Sequence, residues 1–152
     1  MKITATVCLL LVVFIGFGQT KNPSYDSTLA KSLGADEYGM KKYIFVILKT
    51  GSVNLSDKAK RDSLFGGHLK NITRLAEEGK LVVAGPFIGK NDQSYRGLFI
   101  LNVQTIEEAN ALLETDPTIK EKILAAELYP WYGSAALSTY LPTHDKLGKF
   151  KL

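Results

Sequence analysis

The chain has 152 residues, 45% of them hydrophobic and 22% charged, with a formal net charge of +4. That composition fits one core-forming domain rather than two. Acidic and basic residues are interspersed, as in "RLAEEGK" and "TIEEANALLETD", and the missing basic block argues against a nucleic-acid groove.

The first twenty residues stand apart. "MKITATVCLLLVVFIGFGQT" carries one early lysine and an apolar run from Val7 to Phe17. Such a run has the length of a signal-peptide core and is too short to span a bilayer. Gly16 and Gly18 suit cleavage before Gln19, and Gly18 with Thr20 offers a second site. The competing reading is a buried first strand, but the polar "TKNPSYDST" that follows favours cleavage. Residues 1–20 are therefore read as a signal peptide. The protein is expected to be exported, periplasmic or secreted, with no stable membrane span once the peptide is removed. Cys8 is the one cysteine and lies inside the run, without the small-residue context that lipid attachment needs. Cleavage removes it together with Lys2, lowering the charge from +4 to +3. The mature chain then has no thiol for a disulfide, a nucleophile or a metal.

Residues 21–40 read as an arm in which "STLAKSL" suits a short helix. "KYIFVILKT", residues 42–50, is a compact strand. Ser56 can cap a helix over residues 57–78, where Leu64, Phe65, Leu69, Ile72, Leu75 and Ala76 recur at three- and four-residue spacing. Gly66 and Gly67 each lower its propensity by about 1 kcal/mol, which points to close packing or a bend. Gly79 stops it. "LVVAGPF", 81–87, is a second strand, and Pro86 belongs at its end, edge or bulge because it cannot donate. "YRGLFILNV", 95–103, follows after a short hairpin loop. Thr105 and Glu108 form a capping box for a helix over 106–114. Asp116 and Pro117 open a helical turn through Lys120. "ILAAELYP", 123–130, is the last strand. Residues 132–152 form a tail, and Trp131, Tyr132 and Tyr140 are expected to pack on a barrel rim or a neighbour.

Strand, helix, strand, strand, helix, strand is the ferredoxin-like βαββαβ pattern, an α+β fold with both helices on one face of a four-stranded antiparallel sheet. Ile44, Phe45, Val46, Ile47 and Leu48 are apolar on both sides, so the second face needs a cover as well. A second copy of the sheet is the simplest one.

Several of these segments resemble a known family. "HLKNITRLAEEGKLVVAGPF", then "YRGLFILNV", "EEA" and "TDP", is similar in this order to the YCII-related domain family, over residues 41–131. The resemblance implies YciI-like ferredoxin-like subunits paired as a dimeric α/β barrel, hence a homodimer. It puts the family's presumed active-site histidine at His68 and its Asp-Pro aspartate at Asp116. Some members are dehydrochlorinases of hydroxylated chloroaromatics, so lyase or dehydrohalogenase chemistry is implied, without a substrate. The family often has a glycine six residues after the aspartate. Lys122 stands there instead, which is read as altering the pocket.

His68 lies four residues after Leu64 and four before Ile72, on one helix face. An imidazole there is either a satisfied core residue or a base facing a cavity. Asp116 is either its orienting carboxylate or an N-cap, and its two oxygens allow both. Arg61, two turns before His68, either holds an anionic substrate group or lies on the helix surface. Gly85 and Pro86 would shape a pocket wall through backbone. Of Tyr95 and Arg96, alternation lets one face the cavity. His144 reads as solvated. With two histidines and no third ligand beside His68 and Asp116, no metal is expected, and no cofactor motif is present; "GKNDQSYRG" is not a phosphate loop. "NIT" at residue 71 matches a glycosylation sequon inside the helix and carries little weight.

Two functions follow. In one, His68 is a general base oriented by Asp116, and a small acidic or aromatic substrate loses a proton and a leaving group. In the other, an exported homodimer binds such a small molecule without turnover. A closed core beside His68 would leave a purely structural dimer.

Overall fold

The computed structural model describes residues 21–149, so the expected signal peptide and Cys8 lie outside the described residues. Helix α1 spans Ser27–Leu33, capped by Asp26 and closed by Gly34 at φ 70°. Strand β1 is Met40–Thr50 and helix α2 is Lys58–Glu77. The hairpin strands are β2, Leu81–Pro86, and β3, Tyr95–Leu101. Helix α3, Ile106–Leu113, carries the expected Thr105–Glu108 capping box. The short helix α4, Pro117–Lys120, precedes β4, Leu124–Ser134. A 3-10 turn over Ala135–Tyr140 and a last helical turn, α5, Leu141–His144, complete the tail. Asp57 rather than Ser56 caps α2, through a bond from the Lys60 amide. Its carboxylate also meets the positive end of the helix dipole.

The sheet is antiparallel with strand order β2-β3-β1-β4, as the ferredoxin-like pattern requires. On the helix side, Ile44, Val46 and Leu48 of β1 pack with Phe99 and Leu101 of β3, Leu124 of β4 and Leu75 of α2. The period of two along β1 sends Tyr43 and Phe45 to the opposite side.

The expected dimeric α/β barrel is corrected here. Among the described residues the sheet is open: β2 pairs with β3 alone and β4 with β1 alone, so neither edge pairs with a further strand. Nor is the second face bare throughout. The chain's own tail covers one end of it, where Leu137 packs on the cluster of Tyr43, Val82 and Ile100. The Tyr140 hydroxyl donates to the Val82 carbonyl at 2.7 Å, and the Tyr43 hydroxyl donates to the Ser134 carbonyl at 2.8 Å. Trp131 and Tyr132 belong to β4, which runs four residues past its expected end.

Lys122 has φ 57°, the left-handed conformation that suits glycine. The chain turns there because the Val53 amide donates to the Lys122 carbonyl at 3.0 Å, and Gly51 lies so close that a Cβ on it would stand 2.1 Å from that carbonyl oxygen. A glycine at 122 therefore answers a backbone requirement. Lys122→Gly is expected to raise stability by about 1 kcal/mol, checked by urea unfolding; a loss of stability would refute the strain.

Candidate functional site

Helix α2 and the segment leading into α4 bring the site together. Gly67 packs directly on Pro117: a Cβ at Gly67 would stand 2.8 Å from Pro117 Cγ. Glycine is thus required at position 67, one residue before His68, where it meets Pro117, one residue after Asp116. Gly66 has nothing within 4 Å of a Cβ, so only the second glycine of the pair serves this approach.

His68 and Asp116, forty-eight residues apart in sequence, meet at 2.5 Å between Nδ1 and Oδ2. The carboxylate is buried, at 1% exposure, and the imidazole nearly so, at 8%. Asp116 also keeps its capping role. Its Oδ1 accepts the Thr118 amide at 2.9 Å and the Thr118 hydroxyl at 2.6 Å. One oxygen thus contacts the imidazole while the other caps α4.

The imidazole lies between aromatic rings. Phe99 stacks on it and Phe65 meets it edge-on, each with centroids 6.0 Å away. Burial pushes the Asp116 carboxyl up, but the bonds from His68 and Thr118 and the imidazole charge outweigh it, so the group is held below its ordinary value. An ionised carboxylate only accepts, which puts a proton on Nδ1. Among the described residues Nε2 has no hydrogen-bond partner, and no buried side-chain nitrogen or oxygen there is unpartnered. Nε2 therefore lies on the 11% of the side chain that is accessible. Such a pair can take up a proton at Nε2 while the carboxylate balances the charge acquired by the ring.

Neighbouring groups fix the approach of the two segments. Arg74, on α2, donates from Nη2 to the Asn71 side-chain oxygen at 2.8 Å and to the Thr115 hydroxyl at 2.9 Å. Thr115 immediately precedes Asp116. Asn71 is buried in this network, which removes weight from the sequon. Sequence reasoning missed Asn71, Arg74, Thr115 and Thr118, because their partners are distant in the chain or look like ordinary cap residues.

The remaining expected residues lie elsewhere. Arg61 donates to the Leu55 carbonyl at 3.3 Å, bracing the loop before its own helix. Seven residues of helix also separate it from His68 by about 10 Å along the axis. Pro86, Tyr95 and Arg96 line an open depression of about 410 Å³ at the β2–β3 hairpin, with Thr50, Phe87, Lys90 and Asn91. Tyr95 and Arg96 both border it, contrary to strict alternation. The β1–β3 register slips there, from Leu48 opposite Gly97 to Lys49 opposite Tyr95, so Arg96 is the extra residue of a bulge. Gly85 lines neither this depression nor the second one. That one, about 520 Å³, is bordered by Thr50, Gly51, Ile119 and Lys122. His68 and Asp116 line neither. Among the described residues no cluster of three His, Cys, Asp or Glu is placed to hold a metal, and no helix is long and apolar enough to cross a membrane. His144 is exposed in the tail beside Tyr140.

Fold and site together define a ferredoxin-like α+β domain with a buried histidine–carboxylate pair between helix and sheet. The chain belongs to the YCII-related domain family, whose profile matches residues 42–131. No curated protein matches it. Among solved structures it is similar to the 5-chloro-2-hydroxyhydroquinone dehydrochlorinase of Burkholderia phenoliruptrix AC1100, in complex with 2,5-dihydroxybenzoquinone. That likeness has 20% identity and a TM-score of 0.44, over 58% of this chain and 92% of that one.

The lowered Asp116 value has a consequence for acid stability. Its contribution is complete above the ordinary value of 3.8 and is lost as pH falls below that, through the lower folded value. Asp116→Asn is expected to lower stability by about 2 kcal/mol at neutral pH. The gap to wild type should close on acidification below 3.8 in urea unfolding. A gap independent of pH would show that the carboxyl charge is not involved.

Proposed function

We propose that the His68–Asp116 pair is a proton-transfer site acting on a small acidic or aromatic molecule, with lyase or dehydrohalogenase chemistry. The observation that supports this reading is the 2.5 Å contact between Nδ1 and a buried, ionised carboxylate, with Nε2 unpartnered among the described residues. In this reading Nε2 takes a proton from a substrate hydroxyl or C–H group. The electron pair left behind forms a new π bond. Chloride or a comparable leaving group departs with its bonding pair, and the net change is loss of one acid equivalent. Asp116 keeps the ring oriented and compensates its charge.

The test is an assay of chlorinated phenols, hydroxyquinols and lactones with wild type, His68→Gln and Asp116→Asn. A placed base contributes about 10²- to 10⁴-fold, so His68→Gln should lower kcat/KM by that range. Equal rates for His68→Gln and wild type would remove the imidazole from the reaction.

One observation favours a second reading, an exported homodimer that binds a small anionic aromatic molecule without turnover. The hairpin depression pairs Phe87 and Tyr95, whose ring centroids are 6.1 Å apart, with the cations Lys90 and Arg96, and no acidic residue lines it. Its size falls within the range of small-molecule sites. Half-buried Phe45 and Leu98 beside exposed Tyr129 leave apolar surface on the helix-free face of the sheet, which supports a second copy of the chain. Calorimetric titration with benzoate should give saturable binding that Arg96→Gln weakens about tenfold, the loss of one charge-assisted bond. Unchanged affinity in that variant, or sedimentation as a single chain, would count against this reading.

A further inference from the structure

We propose that Thr118 is a positioning residue for the His68–Asp116 pair: its buried hydroxyl holds the carboxylate ionised and turned so that Oδ2 meets the imidazole. Its part in turnover rests on the proton-transfer reading above, while its effect on the carboxylate does not.

A carboxylate with 1% exposure needs donors on both oxygens. Oδ2 has the imidazole. Oδ1 has two donors, and Thr118 supplies both. The two are not equivalent. The amide, at 2.9 Å, is the N-cap bond of α4, and almost any residue at 118 would provide it. The hydroxyl, at 2.6 Å, is the shorter bond, and only a hydroxylated side chain can make it. Two bonds from one residue to one oxygen resist rotation of the carboxylate about its Cβ–Cγ bond.

The third contact of Thr118 points the same way. Its Oγ1 stands 3.4 Å from His68 Nδ1, within reach of the ring. The hydroxyl has a single hydrogen, and Oδ1 takes it at the much shorter distance. Nδ1 is therefore left to donate to Oδ2, and the lone pair remains on Nε2. Thr118 is wholly buried, and a β-branched side chain has a stiff χ1, so this arrangement has little freedom to relax.

Thr118→Val keeps the shape and the cap amide but removes the hydroxyl donor; Thr118→Ser restores it. The chain has two histidines, so a His144→Gln background leaves one imidazole signal for assignment. In Thr118→Val the Asp116 carboxyl, followed by 13C NMR, should titrate about one pH unit higher than in wild type, tenfold in proton affinity. The 15N signals of His68 should move away from their wild-type positions. Thr118→Ser should recover both. On a substrate that wild type turns over, Thr118→Val should lower kcat about tenfold with KM unchanged. An Asp116 titration and a His68 signal identical to wild type would overturn the proposal, even if stability fell, since packing alone would then explain the residue. Should Thr118→Val not fold, wild type decides: a slowly exchanging Thr118 hydroxyl proton supports the bond, and free exchange refutes it. Absence of turnover in every variant would defeat the proton-transfer reading and leave the titration to judge Thr118.

Discussion

The Asp116 carboxylate is the point on which the site depends. It is buried, so it persists as an anion only while its neighbours supply hydrogens. One oxygen closes the first turn of α4, and the other binds an imidazole from a different helix. A local cap and a long-range tie are thereby made by the same group. Removing the charge disturbs the start of α4 and the orientation of His68 together.

The approach of these two segments depends on what is absent as much as on what is present. Without a side chain at Gly67, Pro117 rests on the helix backbone and carries Asp116 toward His68. Arg74 holds the residue just before it, Thr115, to the same helix. Phe65 and Phe99 then enclose the imidazole from the helix and the sheet. Strand β3 is therefore both the floor of the core and a wall of the site, and at its other end its bulge at Arg96 opens the hairpin depression.

The strand and helix order was legible because it rests on local signals. The unbroken apolar run of β1, three-four spacing in α2 and the Thr105–Glu108 capping box are each written within a few residues of one another. The family resemblance, not periodicity, singled out His68 and Asp116, since a lone imidazole on an apolar helix face is also ordinary core. What the sequence could not show was how distant pieces meet. Alternation placed Tyr95 and Arg96 on opposite faces, but the bulge breaks that rule, and register is a property of two strands. Apolar residues on both faces of β1 suggested a second copy of the sheet as cover, and the family resemblance implied a dimeric barrel, while the structure has an open sheet and a tail laid over one end. Lys122 was read as altering a pocket; it borders the second depression, and its positive φ adds a demand of the backbone that composition does not reveal. Thr118 resembled a routine residue in a short helix because the imidazole that its partner Asp116 holds is fifty positions away.

The Tyr140 bond to Val82 divides the duties of β2. Near its beginning the strand is gripped from below by Leu75 of α2 and from above by the tail. Near its end, at Gly85 and Pro86, it is held by β3 alone. Loosening residues 135–144 would thus act on the sheet through Val82, opposite the layer that carries the imidazole.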